Sequence, residues 1–425
     1  MFGYPLLRRR SLGVAATLAL TAAIAAGCGG SDSATPATTG APAAATTATT
    51  TMPASTMDQM TTTAAAAAKP GFNPAVDLRV AFNRLLGEHM QIAVDATQTA
   101  LLGGKSFDAK GAELQANTDD LAAAIGSLYG DDAKQAFASQ WNAHNGYFVN
   151  YTVATAKGDA AAKQKAVDGL TAYTKDFGTF LAGATGLPAD AVTAQLAMHV
   201  MHTAKAVDMF GTKDYAGSYA NAAMGYVHMG ATGDILSGAI ATQKSLGETT
   251  GDAADLRVKL DDLLGEHAAL AIVAMERGFD GSPDFKAAAD ELDKNTVALG
   301  DLIGSAYGDD AKATFVSQWR GHIGYFVNYV TALAKKDTAG QEEAKKGLDG
   351  YIKEHGAFLA TATGLPADAV EAQLKMHVDE LLKTIDDYAA GDYEAAAAGA
   401  RMSFAHMYET GDALAGGIIT VKKLS

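Results

Sequence analysis

The 425-residue chain has one cysteine, two tryptophans and nine prolines, three of which lie beyond residue 76. A single cysteine excludes an intramolecular disulfide framework, a Cys-rich zinc site and covalent c-type haem attachment. Basic charge is also short. There are 33 Lys and Arg against 48 Asp and Glu, a formal net charge of -15, and no basic run interleaved with aromatics. Recognition of a phosphate backbone depends on such runs, so nucleic acid is excluded as a partner and cations are the better ligand class. Gly-x-Gly-x-x-Gly, P-loop, Gly-x-Ser-x-Gly and His-Glu-x-x-His patterns are absent, leaving nucleotide and hydrolase chemistry without support. What remains is 48% hydrophobic and alanine-rich, enough to bury a substantial core and biased toward helix.

The N-terminal segment carries Arg8, Arg9 and Arg10, then an apolar run from Leu12 to Ile24, then Ala25-Ala26-Gly27-Cys28. Positive, apolar and small residues in that order predict a secretory signal over residues 1–27. The Ala-Ala-Gly-Cys stretch resembles a bacterial lipobox. The resemblance implies lipidation of Cys28 and a protein tethered to the outer side of the cytoplasmic membrane, in the cell envelope. Residues 28–76 are almost entirely Ala, Thr, Ser, Pro and Gly, a composition that predicts a disordered linker.

The rest of the chain repeats itself. Residues 77–245 align with residues 255–423 at a constant offset of 178, without a gap and with 85 identities over 169 positions. Leu86-Gly87-Glu88-His89 returns as Leu264-Gly265-Glu266-His267, and Gly186-Leu187-Pro188-Ala189-Asp190 as Gly364-Leu365-Pro366-Ala367-Asp368. A unit of this length is a domain in its own right. The predicted fold is therefore all-α: two tandem homologous helical bundles of about six helices each, over 77–250 and 251–425. In the second, Gly, Pro and Asp punctuation predicts helices from Ala254 to Arg277, Pro283 to Ser305, Asp309 to Lys336, Thr338 to Thr363, Pro366 to Ala390 and Tyr393 to Lys422. No stretch alternates with period two, which argues against a sheet.

Eight of the ten histidines form four equivalent pairs: His89 with His267, His144 with His322, His199 with His377, and His228 with His406. His202 and His355 have no counterpart. Helical spacing puts the paired histidines inside apolar stripes, as in Leu85, His89, Ile92, Ala96 and in Phe137, Trp141, His144, Phe148, Tyr151. Four helices per copy thus each point an imidazole inward, where an unsatisfied ring nitrogen costs roughly 1–3 kcal/mol. A metal ion shared among facing helices removes that cost, which predicts one His-rich metal site per copy. Core imidazoles with ordinary hydrogen-bond partners are the competing expectation. Imidazole suits copper, zinc and iron; Met224 and Met402, one turn before His228 and His406, are possible auxiliary ligands and place copper ahead of zinc and iron. Glu88 and Glu266 point away from the adjacent histidines, either toward a neighbouring helix or into solvent as solvated charges. Glu113 with Asn117 and Glu291 with Asn295 lie one turn apart, on the surface or placed to orient a ligating imidazole. His202 and its equivalent Glu380, three residues after His199 and His377, are either a second ligand type on that face or a solvent-facing pair. No Glu stands three residues before a His, so the di-iron Glu-x-x-His pattern of helical bundles is missing.

Leu-Gly-Glu-His, Trp319-Arg320-Gly321-His322, Tyr325-Phe326-Val327-Asn328-Tyr329, Thr363-Gly364-Leu365-Pro366, Met376-His377 and Thr410-Gly411-Asp412 together resemble a group of exported bacterial tandem-repeat helical lipoproteins, some labelled copper amine oxidase-like. The resemblance covers both copies and implies export and metal. It does not extend to oxidase chemistry. Quinone formation in amine oxidases uses an Asn-Tyr-Asp/Glu motif, and here Asn150-Tyr151 is followed by Thr152 and Asn328-Tyr329 by Val330. Three function classes follow: an exported, lipid-anchored metal-binding protein for storage, delivery or sensing, a b-type haem redox protein with axial histidines, and a non-catalytic structural or interaction module of the envelope.

Overall fold

Short polar side chains start the helices. Asn73 accepts from the Ala75 and Val76 amides at 2.9 and 3.1 Å, and Asp159, Asp214, Asp337 and Asp392 each accept from an amide three residues on, at 3.0–3.1 Å. Gly103, Gly158, Gly186, Gly364 and Gly391 end helices in the left-handed conformation, with φ between 65° and 83°. In a computed structural model, which describes residues 69–425, these signals delimit twelve helices, with no strand among the described residues. The first six are α1 (Pro74–Leu102), α2 (Phe107–Tyr129), α3 (Asp131–Lys157), α4 (Ala160–Thr185), α5 (Ala189–Gly211) and α6 (Tyr215–Lys244). The second six are α7 (Asp252–Phe279), α8 (Phe285–Tyr307), α9 (Asp309–Lys335), α10 (Thr338–Thr363), α11 (Ala367–Ala390) and α12 (Tyr393–Lys422).

The fold is all-α, and the second-copy helices fall within two residues of their expected ends. Two local readings change. Pro366 caps α11 from outside and is not its first helical residue. Residues 74–76, expected in the linker, form the first turn of α1, with Ala75 and Val76 buried. The signal segment and Cys28 lie outside the described residues.

In each copy one helix is surrounded. α1 packs against α2, α3, α5 and α6, while α4 lies outside against α3 and α5; α7 is enclosed likewise by α8, α9, α11 and α12, with α10 outside. The six consecutive residues Leu85 to Met90 are all buried, as are Leu263 to Ala268. At 100° per residue, six in a row cover the whole circumference, so over that stretch each helix is buried on every side, while Lys259 nearer the start of α7 is exposed. Gly87 and Gly265 allow close approach there: a Cβ would stand 2.7 Å from the Tyr226 ring at the first and 2.3 Å from the Tyr408 ring at the second.

The two copies share their interior. α1 packs on α7, α2 on α12 and α6 on α8. Charges are exchanged reciprocally: Arg79 binds Asp234 of its own copy and Asp255 of the other, while Arg257 binds Asp412 of its own copy and Asp77 of the first. Between them the hydroxyls of Tyr226 and Tyr408 meet at 3.3 Å. Lys110 and Asp95 of the first copy also close on Glu276 and Arg277 of the second, in a cluster buried except for part of Asp95.

Candidate metal centre

α1, α3 and α5 each bring one imidazole to a common point. His89, His144 and His199 are 1%, 0% and 3% exposed, and one nitrogen from each lies within 4.8 Å of the others. His89 Nε2 and His144 Nε2 are 3.3 Å apart. Two ligands bound at about 2.0–2.1 Å to one tetrahedral ion would have that separation. α7, α9 and α11 do the same with His267, His322 and His377, 0%, 1% and 3% exposed and also within 4.8 Å.

The rings are held by aromatic neighbours. Trp141 lies 4.8 Å from His89 and 4.6 Å from His144 between ring centroids, and Tyr173 stacks on His144 at 4.7 Å with an interplanar angle of 17°. Trp319 and Tyr351 occupy the same places around His267 and His322. α4 and α10 therefore contribute an aromatic wall and no donor to the triads. Trp141 and Trp319 stand out in the sequence stripes. Tyr173 and Tyr351 do not, and their only sequence signal is identity between the copies.

Hydrogen bonding at the triads is incomplete. The Nδ1 atoms of His89 and His144 and both ring nitrogens of His199 are buried without a partner; so are His267 Nε2, His322 Nδ1 and both nitrogens of His377. Trp319 donates to His267 Nδ1 at 3.3 Å. Burial lowers the pKa of all six imidazoles, to about 3 for His267, and neighbouring rings push five of them down further. Each triad is accordingly neutral at pH 7, the protonation state in which imidazole ligates a metal. Three neutral, converging and underbonded imidazoles could hold a metal ion, and each copy has one such triad.

The remaining predicted ligands are placed elsewhere. His228 donates from Nε2 to the Gln195 carbonyl at 2.9 Å, and His406 pairs with Glu380 at 3.0 Å and with the Gln373 side chain at 2.7 Å. α6 and α12 pack against both the central helix and α5 or α11, and their histidines bond to polar groups of α5 and α11. Neither belongs to a triad. Met224 and Met402 are 49% and 41% exposed and supply no sulfur to either centre. Asn117 and Asn295 bind Glu88 and Glu266, at 2.7 and 2.9 Å, instead of orienting an imidazole. Glu88 reaches across to Arg401 of α12 at 3.2 Å, the neighbouring-helix partner expected of it. Position 223, equivalent to Arg401, is Ala, and burial raises the pKa of Glu266 to about 7. His202 lies beside His228, with ring centroids 6.0 Å apart, just as Glu380 lies beside His406. His355 replaces Phe177 in the aromatic stack, with Nδ1 against Gln318 at 2.8 Å.

Compared with protein-family models, curated proteins and solved structures, the chain matches none, so its function is read from these two triads alone.

Proposed function

We propose that the protein is an exported, lipid-anchored carrier or sensor that binds one transition-metal ion per copy, through His89, His144 and His199 in the first and His267, His322 and His377 in the second. The observation that carries this reading is the convergence of three neutral imidazoles in each core with four ring nitrogens left without partners. A bland core histidine has its nitrogens bonded, as His406 does. Donors of three nitrogens and no thioether suit zinc, copper, iron or nickel, so the methionine argument for copper falls away and a three-imidazole site remains. Trp141 and Tyr173 pack directly on the first triad, leaving no room between the rings for a macrocycle, and haem is not proposed.

Elemental analysis of the tag-free chain, stripped with chelator and reloaded with zinc or copper(II), tests the reading. Two tightly held ions per chain are expected, and one after His144→Leu. A chain that retains none, while remaining folded, belongs to the structural-module class. Export and the lipid on Cys28 rest on the sequence, and intact-mass analysis of the membrane-extracted protein against Cys28→Ser tests them.

A further inference from the structure

Beside the second triad lies a cavity of about 120 Å³ whose wall includes the His322 ring. The rest of the wall is apolar: Ala271, Met275, Phe285, Leu292, Phe326 and Val330 among others, with Thr331 the one further polar residue. No charged side chain lines it. An apolar cavity of about 150 Å³ in another protein stays dry and admits benzene or xenon, so this one has room for roughly six heavy atoms. Three protein ligands leave a fourth position open on a tetrahedral ion.

We infer that this cavity is a binding site for a small, uncharged, largely apolar molecule of up to about six heavy atoms with one donor atom, which enters beside His322 and reaches the second centre. The inference rests on the metal-binding reading above. The wall argues for an uncharged occupant, since an anion would lose its hydration with no cationic or polar partner to replace it. It also assigns the occupant to the second copy. Met275, Ile323 and Val330 of the wall correspond to Thr97, Asn145 and Thr152 of the first copy, whose side chains bond within their own surroundings. The two centres thus share a ligand set and differ in what can approach.

The test uses the chain loaded with two cobalt(II) ions, whose visible absorption reports coordination. Pyridine, six heavy atoms and one nitrogen donor, is the probe and azide the anionic control. Saturable change with pyridine and none with azide at the same concentration is expected. Ala289→Phe, which adds a phenyl ring to the cavity wall, should weaken the pyridine response at least tenfold with cobalt content unchanged, whereas Gly111→Phe at the equivalent first-copy position should leave it intact. No response to pyridine with two cobalt ions bound overturns this inference alone. Equal weakening by both variants, or a stronger response to azide, overturns it too. Failure to bind cobalt at all overturns the metal reading instead, and xenon binding to the metal-free chain then reports whether the cavity itself is open.

Discussion

His199→Leu separates a metal centre from a structural histidine core, because the two readings give opposite signs. His199 is 3% exposed and neither of its ring nitrogens has a hydrogen-bond partner, so replacing the ring orphans nothing else. Each unsatisfied buried polar atom costs about 1–3 kcal/mol. Removing two, and putting an apolar side chain of similar volume among Leu196, Phe148 and Met90, is expected to stabilise the metal-free protein by roughly 2–4 kcal/mol. For a folded unit of this size, about 1 kcal/mol moves Tm by roughly 1–2 °C, so a rise of about 3–6 °C is expected by calorimetry after chelator treatment. The same variant loses one of three ligands, and metal content should fall from two ions to one. The stabilisation must disappear once wild type is loaded, because ligand binding stabilises only the protein that binds it. A metal-free variant less stable than wild type, or one that still holds two ions, would refute the reasoning.

Other outcomes are equally specific. At zinc concentrations 100-fold above Kd, each filled site should add about 2.7 kcal/mol to unfolding stability, read as a concentration-dependent rise in Tm absent from a variant lacking both triads. Asp261 is buried with both oxygens unbonded, and burial, with Asp412 nearby, raises its pKa well above the usual range. A raised folded pKa on a carboxyl means that stability falls as pH rises from about 4, where the unfolded chain ionises, through the folded value. Asp261→Asn, the residue found at the equivalent position 83, should therefore gain roughly 1–3 kcal/mol at pH 7.5 and nothing at pH 3.5 in parallel denaturant titrations. Arg401→Ala leaves Glu88 buried without its cationic partner and should cost about 3 kcal/mol in the same titration, while Arg320→Ala, whose pair with Asp293 is exposed, should cost under about 1 kcal/mol.

Much of the fold can be read from the chain because its punctuation is local. Asp159, Asp337 and the left-handed glycines act within a few residues of themselves, so the helix ends follow from sequence. The histidines on α1 and α3 were legible for a related reason: each sits in an apolar stripe, whereas His199 on α5 stands between Leu196 and the polar Thr203 and was the less legible of the three. His228 sits in a stripe too, yet it faces Gln195, because a stripe marks burial and not the partner helix. That distinction depends on which side of α5 the sixth helix packs, a long-range fact. Asn117 misled similarly. Its spacing to Glu113 is helical, whereas its actual partner, Glu88, is 29 residues away on α1. The cavity beside His322 needs α7, α8 and α9 together and leaves no local trace.

The exchange of Arg79 and Arg257 between halves bears on what the covalent join does. The connection over residues 245–252 is largely exposed. Asp255 and Asp77 clamp from opposite sides, and α1 against α7 closes the seam. Cutting the chain in that connection would open the backbone and leave the two pieces together, each supplying the second carboxylate to the other's arginine. Either piece prepared alone would keep one of its arginine's two carboxylates, Asp234 or Asp412, and an uncovered apolar helix face, and would look for a second piece to restore the rest.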